Sequence, residues 1–235
     1  MKRAKSHIKN KEIAVKAGGR KLSAGIEMEI KAALASLPKR ERTRRLIIAS
    51  AMSVLGSRGI AASAVQEIAA HAGVTAGTFY NHFRDKEEVI GAVAVWIIKT
   101  LETRAAESRQ ALRLGSERVA NGCHRYLAIA RSDPASALLI LELALVSPDL
   151  LETIGDIVLG DIRLGVRQKD FKIFSEKTAV DLVHGCVMLS MRYIAMAAMP
   201  AGYENAVVAT VLQGLGLPPG KALELARRQA RAKSD

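Results

Sequence analysis

Aromatic side chains are scarce in this sequence, with four Phe, four Tyr and one Trp among 235 residues, and proline occurs six times. Sandwiches and barrels build cores from β-branched and aromatic residues, so the shortage argues against both. Cysteine is rarer still. Cys123 and Cys186 stand far apart, each in an apolar stretch, with none of the spacings that zinc or redox sites use. Reduced core thiols and no bound metal are expected. A long uninterrupted apolar run is also missing: the greasiest stretch, Leu182 to Ala201, contains His184 and Arg192, which makes it a poor membrane span and a good buried helix. Residues 1–22 hold no apolar segment of the secretory kind, so a soluble, cytoplasmic protein without a membrane partner is expected. Catalytic constellations are missing as well. His184 and Cys186, two apart on a helix, point away from each other, and Gly214 with Gly216 is too short for a phosphate loop. No catalytic residue and no cofactor are expected.

What is abundant is Ala, Leu, Val and Ile, in a chain that is 49% hydrophobic. That composition predicts an all-α protein with a sizeable core. Charge is unevenly placed. Residues 1–45 hold 14 Lys or Arg against 4 Glu, whereas the rest is nearly neutral at 21 basic against 19 acidic. A polyanion should therefore meet the N-terminal part, with nucleic acid the first candidate and an anionic membrane surface the second. Residues 1–21 read as a mobile Lys-rich arm. Ile26, Ile30, Ala33, Leu34 and Leu37 then share one face of a short helix from Ser23 to Leu37, which Pro38 stops.

From Arg42 three short helices are predicted in under fifty residues. In the first, Ile47, Ala51, Val54 and Leu55 share a face, and Gly59–Ile60 reads as a left-handed cap with its hydrophobic follower. The second begins near Ser63, whose hydroxyl can cap it with Gln66 reaching back, and Gly73 ends it. Thr75 can cap a third helix over 76–83. Phe79 and Phe83, with Ala76 as a third candidate, are available to face inward there, which leaves a polar face of Thr78, Tyr80, Asn81 and His82. Two short helices joined by a Gly-containing turn, the second with a polar face, form the helix-turn-helix unit that fits the DNA major groove. Long helices follow: one capped by Asp85 and Glu88 that runs past residue 100, then 117–130, 134–146, 148–166, 176–199, 204–215 and a basic 221–231. The boundaries predicted are an arm over 1–39, a DNA-binding domain over 40–88 with its motif at 64–83, and a ligand-binding and dimerisation domain over 89–235.

Ile47, Ala51, Gly59, Val65, Ile68, Ala69, Gly73, Val74, Thr75, Gly77, Thr78, Phe79, Tyr80, His82, Phe83, Lys86 and Glu87 together resemble the TetR family of regulators. The run GVTAGTFYNHFRDKEE is similar to that family's recognition segment, and the likeness is specific over residues 42–90. Beyond residue 90 only length, helix content and order agree. Two positions depart from the pattern: Ala64 stands where a capping Thr is usual, and Leu55 where an aromatic is usual. The resemblance implies a dimeric, sequence-specific regulator, by default a repressor, released from a palindromic operator in double-stranded DNA by a small, largely apolar effector.

Chemistry suggests the division of labour. Tyr80 and His82 suit phosphates, and Lys86 adds charge beside a helix N-terminus. Ala76, Thr78 and Asn81 suit base edges, since Asn pairs with adenine and methyl groups meet thymine. Gly77 permits close backbone approach, and Ser63 and Thr75 complete the predicted DNA-binding set. For the effector, Trp96, His124, Tyr126, Met188, Met191, Arg192, Tyr193 and Met196 are large or polar groups in aliphatic helices, as pocket linings tend to be. For the homodimer, the last two long helices offer Val180, Val183, Gly185, Val187, Ile194, Val208, Val211 and Leu212. The competing readings are a helical ligand-binding protein or enzyme without DNA binding, and an architectural nucleic-acid binder that uses the basic arm alone.

Overall fold

The computed structural model describes residues 38–231, so the predicted arm and the Ser23–Leu37 helix lie outside the described residues. Ten α-helices and no strand occur among the described residues: α1 (Lys39–Arg58), α2 (Val65–His71), α3 (Ala76–Tyr80), α4 (Lys86–Ala111), α5 (Gly115–Ser132), α6 (Pro134–Val146), α7 (Pro148–Arg167), α8 (Glu176–Met196), α9 (Tyr203–Gly214) and α10 (Pro219–Arg231). The all-α expectation holds, for the reason given: aliphatic residues at helical spacing and few turn formers.

Most helix ends follow from local chemistry. Pro134 and Pro148 occupy first turns, where the missing N–H costs nothing, and Asp133 caps α6 by accepting from the Ser136 N–H at 3.1 Å. Asp85 accepts from the Glu88 N–H at 2.8 Å, which starts α4. Gly202, at φ 81°, makes the turn into α9. At Gly59 the φ is 85° but ψ is 158°, so the residue is not a left-handed helical cap. The Gly still ends α1, because a Cβ-bearing residue is strained there.

The start of α2 departs from expectation. Helix α2 begins one residue later, after Ala64, and the Glu67 carboxylate, not Gln66, reaches back to accept the Ala64 N–H at 3.1 Å. Ser63 is buried, and its hydroxyl donates to the Gly59 carbonyl at 2.7 Å, so it caps nothing. Helix α3 also stops earlier than predicted. Asn81 forms its C-cap and the chain turns through His82, because Phe83 must fold back under the helix to reach the core.

Two cores result. Ile47, Ala51, Leu55, Ile68, Phe79, Phe83, Val89 and Val93 fill the first, which Leu139, Leu143 and Leu150 of α6 and α7 complete. The second lies among α5, α8, α9 and α10 around Leu127, Val183, Val187, Val208 and Leu212. Helix α5 crosses α7 with no room to spare: a Cβ on Gly115 would lie 2.3 Å from the Gly165 nitrogen. One described helix, Glu176–Met196, is long and apolar enough to cross a membrane by length and composition. Its inner face, with Ala179, Val183, Val187 and Met191, belongs to the second core.

Candidate functional site

The first three helices and the start of α4 form a compact head. Phe79 is fully buried against Phe83, with ring centroids 5.6 Å apart, and Arg44 lies 4.8 Å over the Phe83 ring. With Phe79 pulled inward, α3 turns its remaining side chains away from the head. Ala76, Gly77 and Asn81 are exposed, Tyr80 is 50% exposed and His82 is half-buried. None of Tyr80, Asn81 and His82 lies beneath a neighbouring helix.

Thr75 caps α3, its Oγ1 accepting from the Thr78 N–H at 3.1 Å and meeting the Thr78 hydroxyl at 3.0 Å. One threonine hydroxyl donates to the other, which leaves one hydroxyl proton, spare lone pairs and the Thr78 methyl for an outside partner. Gly77 is not required by the fold. Its backbone is helical, and an added Cβ would meet only the Thr75 hydroxyl oxygen, at 3.8 Å. Lys86 Nζ donates to the Ser63 carbonyl at 2.8 Å, which ties the start of α4 to the loop before α2. Ser63 leaves the predicted DNA-facing set, because its side chain is sealed inside the head.

A second site lies near the far end of α4. A cavity of about 60 Å³ opens among Ala105 of α4, Val119, Gly122 and Tyr126 of α5, Ile140 and Ala144 of α6, Ile154 and Val158 of α7, and Val187 and Met191 of α8. Of the predicted lining, Tyr126, Met188 and Met191 are there. The others are not. His124 turns to α10, where its Nε2 meets the Ala226 carbonyl at 2.8 Å. Arg192, Tyr193 and Met196 lie on the outside of α8, and Trp96 stands on the outer face of α4 in a groove with Arg44 and Arg45. Sequence spacing shows which residues share a helix face. It does not show which face meets the cavity.

The polar cavity residues Arg118, Arg125, Asp161 and His184 escaped the sequence reading. Their signal was a polar group interrupting an apolar pattern, visible for His184 inside the greasy stretch. Asp161 accepts from Arg109 Nε at 3.4 Å and lies 3.8 Å from Arg118 Nη1. Burial nevertheless pushes its pKa up against both cations. Tyr126, enclosed by apolar neighbours, has its phenol pushed up to about 12. Burial pulls the His184 pKa down, which keeps the imidazole neutral.

The predicted interface also needs correction. Val183, Val187, Val208, Val211 and Leu212 are buried within the protomer and cannot meet a second copy. Val180 and Ile194 are half-buried, and Gly185 is exposed. Beside Gly185 the outer face of α8 carries Leu189, Tyr193 and Met196, exposed by 52%, 47% and 53%.

Comparison with known proteins agrees with this architecture. Residues 47–93 match the family described as "Bacterial regulatory proteins, tetR family", and residues 115–228 match "Tetracyclin repressor-like, C-terminal domain". Among solved structures, RolR in complex with resorcinol is 24% identical at a TM-score of 0.65, covering 81% of this chain and 95% of its own. FadR from Bacillus subtilis, in complex with stearoyl-CoA, is 20% identical at a TM-score of 0.61, covering 72% and 97%. A bacterial regulatory protein of the tetR family from Rhodococcus RHA1 is 20% identical at a TM-score of 0.63, covering 77% and 100%. A reading head with the family's recognition segment, joined to the family's C-terminal fold, places this chain in the TetR family of DNA-binding, ligand-responsive transcription regulators.

Proposed function

We propose that this protein is a homodimeric repressor whose two heads hold a palindromic operator until a small, largely apolar effector enters the cavity. The observation that carries the reading is the continuity of α4. Ala105 stands in the cavity wall and Lys86 is bonded to the head, on one unbroken helix. The nineteen steps from Lys86 to Ala105 span ~28 Å at ~1.5 Å per residue. The head comprises residues 40–88 and the sensing part 89–235, with α6 and α7 supplying side chains to both cores.

An apolar cavity of about 150 Å³ is what holds a benzene molecule, so the present cavity of about 60 Å³ must expand to admit even one ring. Packed walls respond by shifting, and an effector that prefers the expanded state draws the population there. Since α4 is one wall, that shift alters the separation of the heads. The solved relatives carry ligands as different as resorcinol and stearoyl-CoA, which supports effector entry into this fold while the ligand itself does not transfer.

At the operator, Tyr80, His82 and Lys86 take phosphates, while Asn81, Ala76 and the Thr78 methyl meet base edges. Two heads about 34 Å apart, one helical turn, supply the footprint that one cannot. The partner surface is the outer face of α8, where Leu189, Tyr193 and Met196 form an apolar strip beside Gly185. Leu189→Lys should give monomers by sedimentation and weaken operator binding with it, whereas an unchanged dimer would move the interface elsewhere. The central test selects bound duplexes from a random pool and then screens compounds by anisotropy and by Trp96 emission. Trp96 lies on α4 outside the cavity, so its emission reports helix movement without ligand contact. Compounds that bind the cavity yet leave DNA affinity unchanged would refute the reading.

A further inference from the structure

The cavity is apolar through its middle and polar at two poles. At the first, Arg109, Arg118 and Arg125 gather near the carboxylate of Asp161. Arg109 and Arg118 pair with it at 3.4 and 3.8 Å, which leaves Arg125 without an ion pair among the described residues. Arg125 donates one Nη1 bond to the Arg104 carbonyl at 3.1 Å, and its Nε is buried with no partner. The guanidinium is half-buried, with Asp161 and Glu107 acting on it from beyond ion-pair distance, but its buried Nε still lacks an acceptor, and an anion from outside the chain would satisfy that donor and complete the pole. Tyr126, the next residue on α5, brings a phenol that makes no hydrogen bond among the described residues and can donate to the same anion.

At the second pole His184 Nε2 is buried with no partner. We assign the ring proton to Nδ1, on the side of the Ile154 backbone, so that Nε2 presents a lone pair to a donor. Ile154 and Asp161 are seven residues apart on α7, which sets the poles ~10 Å apart at ~1.5 Å per residue.

Resting on the reading of this cavity as the effector site, we infer that the effector is an apolar monocarboxylate with a hydroxyl or N–H donor at its far end. Its carboxylate meets Arg125 and Tyr126, its donor meets His184, and its ring or chain lies over Val158, Val187 and Met191. Burial lowers the pKa of Arg125 and of His184, in keeping with sites that lack their counterpart.

The test uses the full-length protein and calorimetry with 3-(4-hydroxyphenyl)propanoate, its methyl ester, and 3-phenylpropanoate. The hydroxy acid should bind at least tenfold tighter than the ester and about tenfold tighter than the acid lacking the hydroxyl. Arg125→Gln should erase the preference for acid over ester while ester binding persists, which certifies the fold. His184→Leu should erase only the preference for the hydroxyl. An ester that binds as tightly as the acid overturns the inference, and so does failure of all three to bind. Gly122→Met separates the two levels: an added Cβ there meets nothing within 4 Å, so the side chain fills the cavity without a clash at the backbone. If Gly122→Met abolishes binding of an indiscriminately bound ester, the cavity reading survives and the carboxylate assignment falls. If it leaves binding of the acid untouched, both fall.

Discussion

Gly77 separates what α3 needs for folding from what it needs for DNA. In Gly77→Ala the new methyl would touch only the Thr75 hydroxyl oxygen, at 3.8 Å, an ordinary contact. The backbone is helical, so alanine is favoured over glycine by up to about 1 kcal/mol. In a domain of this size that raises the melting temperature by roughly 2 to 4 °C. A duplex seated on α3 reverses the sign, since the methyl stands where the backbone approaches closely. Losing one charge-assisted phosphate bond costs about 1.5 to 3 kcal/mol, roughly ten- to a hundredfold in affinity. Thermal unfolding followed by circular dichroism and anisotropy titration of a labelled operator measure the two effects on one preparation. Opposite movements, a firmer fold and weaker binding, are expected. A variant that melts higher and binds DNA as before would show that Gly77 faces open solvent in the complex, and the proposed seating of α3 would be wrong.

Other perturbations probe the remaining elements. Gly115→Ala should destabilise by about 3 kcal/mol, because its Cβ would lie 2.3 Å from the Gly165 nitrogen and 2.5 Å from the Asp161 carbonyl oxygen, neither of which can yield; chemical denaturation checks this. Asn81→Ala should cost ~1 to 3 kcal/mol at one operator position and little elsewhere, read by binding to a panel of single-base variants. Uniform loss across the panel would reassign Asn81 to the phosphates. For His184, burial holds the folded pKa below its ordinary 6.5, so the unfolded chain takes the proton first as pH falls. Its contribution to stability is complete above about pH 6.5 and declines below it until the folded pKa is reached. Melting at pH 7.5, 6.5 and 5.5 should show that decline, and His184→Leu should flatten it.

Much of this was legible in one dimension because it rests on local chemistry. Helix α6 was read over 134–146 and α4 from its Asp85–Glu88 pair, since a cap or a first-turn proline acts within three or four residues. The recognition segment was legible for the same reason: within a five-residue helix, burial of Phe79 turns its neighbours Thr78 and Tyr80 away from the core, whereas the exposure of Ala76, on the same face as Phe79, was settled only by the structure. Ser63 shows the limit. Its sequence context suits a cap, but a carbonyl four residues earlier captured the hydroxyl once the loop folded back on α1.

Composition and periodicity, then, determined that the chain is helical, where its helices run and which short helix presents a polar face. Which side of α8 meets a partner and which meets the cavity was decided by tertiary packing alone. Both sides of that helix are apolar, so periodicity carried no contrast between Val187, which is buried, and Leu189, which is exposed. The same holds for Arg125 and His184. Their chemistry depends on two buried nitrogens, Nε of Arg125 and Nε2 of His184, that no neighbouring group meets, and a missing neighbour is a property of three-dimensional arrangement that no spacing within one helix records.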